Sequence, residues 1–180
     1  LRSVVSDRPK PMALVEGKPF LEYVLQGLKK SGIDDIIFAV GYKGGMVEEY
    51  FGDGSRFGIR ARYAYEEELL GTAGAIKNAG KYVTDEQFFV LNGDTFYQMD
   101  FGDLSRIQQE KNLEMALVLR GVPDISRYGA ARLTDGLLTA FNEKNGNTGA
   151  GTINGGVYLM KRALLDEIPA GKVSLENEMI

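Results

Sequence analysis

The sequence predicts an α/β fold built on a mostly parallel mixed sheet, and two observations carry that prediction. Short apolar, β-branched runs alternate along the chain with segments whose apolar residues recur at helical spacing. Parallel neighbours need a crossover, and the crossover is usually a helix. The chain has 180 residues, 44% hydrophobic and 26% charged, with 23 glycines and 5 prolines, which is the composition of a folded domain rather than a disordered or collagenous chain. At about 150 residues per domain, a single domain over residues 1–180 is expected.

The elements follow in order. The first ten residues set Arg2, Arg8 and Lys10 against Asp7 alone. Pro19 opens a helix whose apolar face is Phe20, Leu21, Tyr23, Val24, Leu25 and Leu28, and Lys29, Lys30 and Gly32 mark its end. Ile33 to Tyr42 contains the run IIFAV, which predicts a strand buried on both faces. Val47 to Phe51 reads as helix, Ile59 to Tyr65 as strand, Thr72 to about Tyr82 as helix, and Phe88 to Leu91 as an apolar strand stopped by Asn92, Gly93 and Asp94. Asp103 to Lys111 is a further helix and Met115 to Leu119 a further buried strand. Ala130 to Leu133 and Leu137 to Phe141 form a hairpin about Thr134, Asp135 and Gly136, followed by a glycine-rich loop from Asn145 to Gly151 and a strand near Val157 to Met160.

What is absent narrows the chemistry. Lys and Arg number 21 and Asp and Glu 25, so the net charge of −4 offers no basic excess for a nucleic-acid partner. There is no Cys, His or Trp, which removes thiol nucleophiles, imidazole bases and Cys or His zinc sites. Carboxylate, lysine, arginine and backbone chemistry remain, and a catalytic metal would be a hard cation such as Mg²⁺ on oxygen ligands. No stretch approaches the ~20 apolar residues of a membrane span and no secretory leader opens the chain, so no membrane partner and a cytoplasmic location are expected. The chain begins at Leu1 rather than Met and is expected to be a segment of something longer.

Several groups are placed to carry chemistry. Asn92-Gly93-Asp94-Thr95 follows a strand, where open α/β sheets bind ligands, so Asp94 can hold Mg²⁺; an Asx-type turn is the alternative. Gly71-Thr72-Ala73-Gly74 opens a helix whose N–H groups can meet a phosphate or a base, although close packing explains the small residues equally well. It fits neither the dinucleotide fingerprint nor a Walker loop. Of Glu66, Glu67 and Glu68, one carboxylate can accept from a purine and the others are a solvated strand end. Lys10 is stiffened between Pro9 and Pro11 as a point charge for phosphate, with surface solubility as the alternative. Glu143-Lys144 and Asn154-Gly155-Gly156 suit a polyhydroxylated phosphate ligand, and equally a hairpin salt bridge and a β-bulge.

Taken in order, RPKPM (Arg8 to Met12), LGTAGA (Leu70 to Ala75), NGD (Asn92 to Asp94), YG (Tyr128, Gly129), FNEK (Phe141 to Lys144) and INGGVY (Ile153 to Tyr158) resemble the sugar-1-phosphate nucleotidyltransferases nearly end to end. Within them, LLGTAGAIKNA, FNEK, NTGAGTINGGVY and SLENEM are most similar to the D-glycero-D-manno-heptose 1-phosphate guanylyltransferases, with the mannose-1-phosphate guanylyltransferases next. The resemblance implies a Rossmann-like three-layer sandwich and the reaction of a nucleoside triphosphate with a sugar 1-phosphate to give a nucleotide sugar and pyrophosphate. It implies that Lys10 and Asp94 are catalytic, Lys10 on nucleotide phosphate and Asp94 on Mg²⁺. Glu66, Gly71, Thr72, Asn92 and Gly93 would line the nucleotide side, and Tyr128, Gly129, Glu143, Lys144, Asn154 and Gly155 the sugar-phosphate side.

This chain departs from the family pattern in three places. The glycine-rich G-G-x-G-T-R opening belongs before Leu1, the second metal-binding aspartate beyond Ile180, and Leu69 stands where relatives often have proline. A non-catalytic paralogue that senses a nucleotide sugar is therefore the second hypothesis, and a homo-oligomer is left open.

Overall fold

A computed structural model describes residues 7–142 and 148–180, and the chain enters it through a single 3₁₀ turn at Lys10–Met12. A short antiparallel hairpin that the sequence reading does not contain follows, β1 (Leu14–Val15) and β2 (Lys18–Pro19), turning on Glu16 and Gly17 at positive φ. The first helix, α1 (Phe20–Lys30), buries Leu21, Val24, Leu25 and Leu28, the stripe its spacing predicts. One polar residue goes in with them. Glu22 is only 6% exposed, accepting from Tyr50 Oη at 2.7 Å and from Lys18 Nζ at 3.1 Å.

Burial alone raises the Glu22 pKa, but Tyr50 and Lys18 outweigh it and hold the carboxyl below its ordinary range. A lowered folded-state pKa stabilises above the ordinary carboxylate range, and that contribution is lost as pH falls through the folded-state value. Tyr50→Phe removes one of these donors and keeps the ring. It is expected to cost about 1–3 kcal/mol at neutral pH, read as a lower urea midpoint with an unchanged slope. An unchanged midpoint would mean that Lys18 and solvent suffice for Glu22.

A parallel unit comes next: β3 (Asp35–Val40), α2 (Gly45–Phe51) and β4 (Arg60–Tyr65), with the two strands paired from Asp35↔Arg60 to Val40↔Tyr65. Only Ile36, Phe38 and Val40 of β3 are buried while Ala39 is exposed, which corrects the expectation of burial on both faces. Then come α3 (Gly71–Ala79), β5 (Gln87–Leu91) and α4 (Phe101–Glu110), the last capped by the Asp100 side chain accepting from Gly102 N at 2.8 Å. They are followed by β6 (Met115–Val122), the hairpin β7 (Ala130–Thr134) and β8 (Leu137–Asn142), β9 (Gly151–Lys161) and α5 (Leu164–Glu167). A π-type turn at Leu175–Met179 ends the chain.

β9 organises the main sheet. It runs antiparallel between β5 and β6, and meets the β7–β8 hairpin where Ala130 faces Ile153. The fold is the expected mixed α/β sandwich, but β3–β4 is the one parallel pairing among the described residues. β5 and β6 do share a direction; the late strand inserted between them replaces the parallel ladder that helix–strand alternation suggests.

Side chains of these strands alternate between two cores. Phe89, Leu91, Ala116, Val118, Val157 and Leu159 pack towards α1, α2 and α4. Phe88, Val90, Met115, Leu117, Tyr158 and Met160 pack towards α3, α5, Val173 and Leu175. Helices thus cover both faces of the sheet, which is the three-layer arrangement.

Candidate active site

Asp94 lies just past the carboxyl end of β5, the edge where α/β sheets receive ligands. The turn that presents it is closed by Thr95 N donating to Asn92 O at 3.1 Å. Gly93 sits against the proline-flanked segment: a Cβ there would come within 3.1 Å of Pro11 Cγ. That contact brings Lys10 alongside, with its Nζ 3.7 Å from Asp94 Oδ2 and both side chains about half exposed. Two residues read from separate motifs therefore form one cation–carboxylate pair at the strand edge. Among the described residues no three acidic side chains gather as a metal cage. Among the described residues a cation here would have Asp94 as a ligand, an oxygen donor of the kind Mg²⁺ takes.

The turn is tied to the Asn154-Gly155-Gly156 motif. Asn92 N donates to Gly156 O at 2.9 Å, and Gly156 has a φ of +73°, with a Cβ there coming 2.8 Å from Asn92 Nδ2. Asn154, Gly155 and Gly156 form an irregularity in β9, since Leu117 faces Tyr158 while Leu119 faces Asn154. Gly155 lies over β6, where a Cβ would fall 2.7 Å from Val118 O. The bulge folds the strand back on itself. Asn154 Oδ1 accepts from Gly156 N at 2.8 Å, and Asn154 Nδ2 donates to Tyr158 Oη, a partner four residues on that a regular strand would carry about 13 Å away. Tyr158 is 1% exposed, and burial raises its hydroxyl pKa well above the usual value, so it remains a neutral donor.

The start of α3 is partly closed by the chain itself. Ala73 N and Gly74 N donate to Val173 O at 3.0 and 3.3 Å, and Val173 N donates to Leu70 O at 2.8 Å. Two of the helix's first donors are thus taken by the chain itself, leaving Gly71 N and Thr72 N without a partner among the described residues. Gly71 has a φ of +70°, and Gly74 packs against Gly171, so close approach accounts for both glycines. Glu66 Oε2 accepts from Leu70 N at 3.1 Å, bracing the loop that leads into the helix, while Glu67 and Glu68 are exposed.

Tyr128 is 47% exposed on the loop before β7, its N–H donating to Ile125 O at 2.8 Å, and Gly129 immediately precedes the Ala130 that faces Ile153. Both therefore stand beside the Asn154 bulge. Glu143 and Lys144 lie outside the described residues.

One residue of this region was not singled out in the sequence. Glu176 Oε2 accepts from Thr72 Oγ1 at 3.0 Å and its Oε1 from Tyr158 Oη at 2.9 Å, joining the start of α3 to β9. Ser174, whose hydroxyl accepts from Asn177 N at 3.3 Å, caps the turn that holds it. A serine just before an acidic stretch is the local signal for such a cap.

Comparison with known proteins identifies the family. The sequence pattern of the family described as "Nucleotidyl transferase" matches residues 1–178. The chain is 40% identical over 181 aligned positions to D-glycero-alpha-D-manno-heptose 1-phosphate guanylyltransferase of Aneurinibacillus thermoaerophilus, covering 100% of this chain and 78% of that protein. It is 33% identical to mannose-1-phosphate guanylyltransferase of Mycobacterium tuberculosis, covering 99% of this chain and 50% of that protein. The fold is similar to the crystal structure of HddC from Yersinia pseudotuberculosis complexed with GMP-PN, at a TM-score of 0.84 and 33% identity over 98% of this chain and 77% of that one.

Proposed function

Since the chain belongs to the nucleotidyl transferase family, we propose that it transfers GMP from GTP to D-glycero-alpha-D-manno-heptose 1-phosphate, giving a GDP-sugar and pyrophosphate. The observation that carries this reading is the likeness to heptose 1-phosphate guanylyltransferases, at 40% and 41% identity over 100% and 93% of this chain and 78% and 73% of theirs. The Lys10–Asp94 pair at the β5 edge supports it chemically. A sugar-phosphate oxygen attacks the α-phosphorus in line; the new P–O bond forms as the bond to the pyrophosphate leaving group breaks. Such transfer needs positioning and charge more than covalent help, so a chain without His or Cys is well suited to it.

Lys10, stiffened by its prolines, places a positive charge on the triphosphate. Asp94 would hold Mg²⁺, which when bound would supply further charge neutralisation at the phosphates. Glu66, Gly71, Thr72, Asn92 and Gly93 form the nucleotide side. Tyr128, Gly129, Asn154 and Gly155 form the sugar side with Glu143 and with Lys144, the cation for the sugar phosphate. A cytoplasmic location belongs to the same reading, since that is where GTP is made; no helix among the described residues is long and apolar enough to cross a membrane.

Transfer to mannose 1-phosphate is the second reading, favoured by the likeness to mannose-1-phosphate guanylyltransferases. The test is pyrophosphate release with Mg²⁺, crossing four nucleoside triphosphates against heptose, mannose, glucose and N-acetylglucosamine 1-phosphates. Release with GTP and the heptose phosphate alone is expected. Release with another pair would correct the substrate, and nucleotide-sugar binding without release would make the chain a sensor.

A further inference from the structure

We propose that Glu176 is a positioning residue that couples nucleotide binding to sugar-phosphate binding, an inference that rests on the transferase reading. Its carboxylate receives from both halves of the site and donates to neither. On one side the order is Leu175 N to Thr72 Oγ1 at 2.7 Å, then Thr72 Oγ1 to Glu176 Oε2 at 3.0 Å. On the other, Asn154 Nδ2 donates to Tyr158 Oη, which donates to Glu176 Oε1 at 2.9 Å; Asn154 Nδ2 also lies 3.5 Å from that oxygen. Ser174 Oγ adds a longer contact of 3.4 Å to Oε2.

Both chains of donors in the relay therefore end at one acceptor. An ionised carboxylate accepts at both oxygens, and no neutral side chain of that length does the same. The arrangement fixes which lone pairs and hydrogens of Thr72 and Asn154 stay available to a ligand. Glu176 has no cationic partner among the described residues, so hydroxyl and amide donors alone hold it.

Both arms are anchored independently of any ligand. The Thr72 arm is fastened through Val173 to the first turn of α3, and the Asn154 arm through Gly156 O to Asn92, two residues before Asp94. A substrate that shifts one arm therefore shifts the carboxylate both arms share and re-aims the other, so the second substrate meets a site already set. Such coupling is reciprocal: the sugar phosphate tightens nucleotide binding by the factor with which nucleotide tightens the sugar phosphate.

Glu176→Gln separates this from a merely structural role, because the amide keeps the shape and must turn a donor towards one arm. The measurement is the dissociation constant of the α,β-methylene analogue of GTP, whose α–β link cannot be cleaved, with and without saturating heptose 1-phosphate. Wild type is expected to bind the analogue more tightly with the sugar phosphate present. In Glu176→Gln that ratio falls to near one and the KM for sugar phosphate rises about tenfold, the size of one hydrogen bond to a charged group, while analogue affinity measured alone barely moves. Glu176→Asp, which keeps the charge, restores part of the ratio.

Tyr158→Phe removes the shorter bond of the sugar-side arm, leaving only the 3.5 Å contact from Asn154 Nδ2, and serves as the second variant if Glu176→Gln does not fold. It is expected to lose the coupling as well, and the double variant to lose little more. A wild-type ratio of one, or an unchanged ratio in both folded variants, overturns the proposal. Wild-type pyrophosphate release in the same preparation separates that outcome from failure of the transferase reading, since turnover without coupling sinks only the role of Glu176.

Discussion

Asp94→Asn is expected to lower turnover on the order of 10²- to 10³-fold while leaving the thermal midpoint within a few degrees of wild type. Asparagine keeps the shape and removes the charge at the β5 edge. The carboxylate is about half exposed and faces Lys10 at 3.7 Å, so the pair itself contributes little to the fold. Its loss falls on the transferred phosphate, where one anchored metal ligand supports several kcal/mol of charge stabilisation. Pyrophosphate release across a Mg²⁺ series is the readout, and the variant's activation curve is expected to move to higher Mg²⁺. Near-normal turnover at ordinary Mg²⁺ would remove Asp94 from the metal assignment.

Gly71→Ala is the second large effect, and it acts on stability. At a φ of +70° an alanine costs about 1–2 kcal/mol over glycine before any contact is counted. The new methyl would also lie 2.5 Å from Val173 O and 3.0 Å from Val173 C, backbone atoms that cannot swing away. Moving them breaks the bonds from Ala73 N and Gly74 N and pulls at the Leu175 to Thr72 contact. A total near 3 kcal/mol, or roughly 6–12 °C in thermal midpoint, is expected for a chain of this size. Gly45→Ala is the control, since a methyl there meets nothing within 4 Å and should change the midpoint little. Equal midpoints for the two variants would show that Val173 yields more easily than its backbone contacts suggest.

These cases mark how far the sequence carries. The stripe of Leu21, Val24, Leu25 and Leu28 and the run Phe88 to Leu91 were legible because helix and strand burial repeat with fixed local periods. The ligand edge was legible too, since a strand stopped by Asn92-Gly93-Asp94 has few places to go in an α/β sheet. Strand order was not: nothing local says that β9 enters between β5 and β6. For the glycines at 71 and 74 the sequence leaves ligand contact and close packing equally open, because it shows a missing side chain and not its neighbours, which here are Val173 and Gly171. Glu176 escaped for the same reason, its partner Thr72 being 104 positions away in the chain.

The place of β9 in the sheet also sets a timetable. β5 and β6 are synthesised before Gly151–Lys161, and among the described residues each has β9 as its only neighbour. Until that segment emerges, both strands carry bare hydrogen-bonding edges and two uncovered oily faces, the state most open to sticking to other nascent chains. The main sheet closes only when a strand made later than both of its neighbours slides into its centre, and such long-range pairings slow assembly.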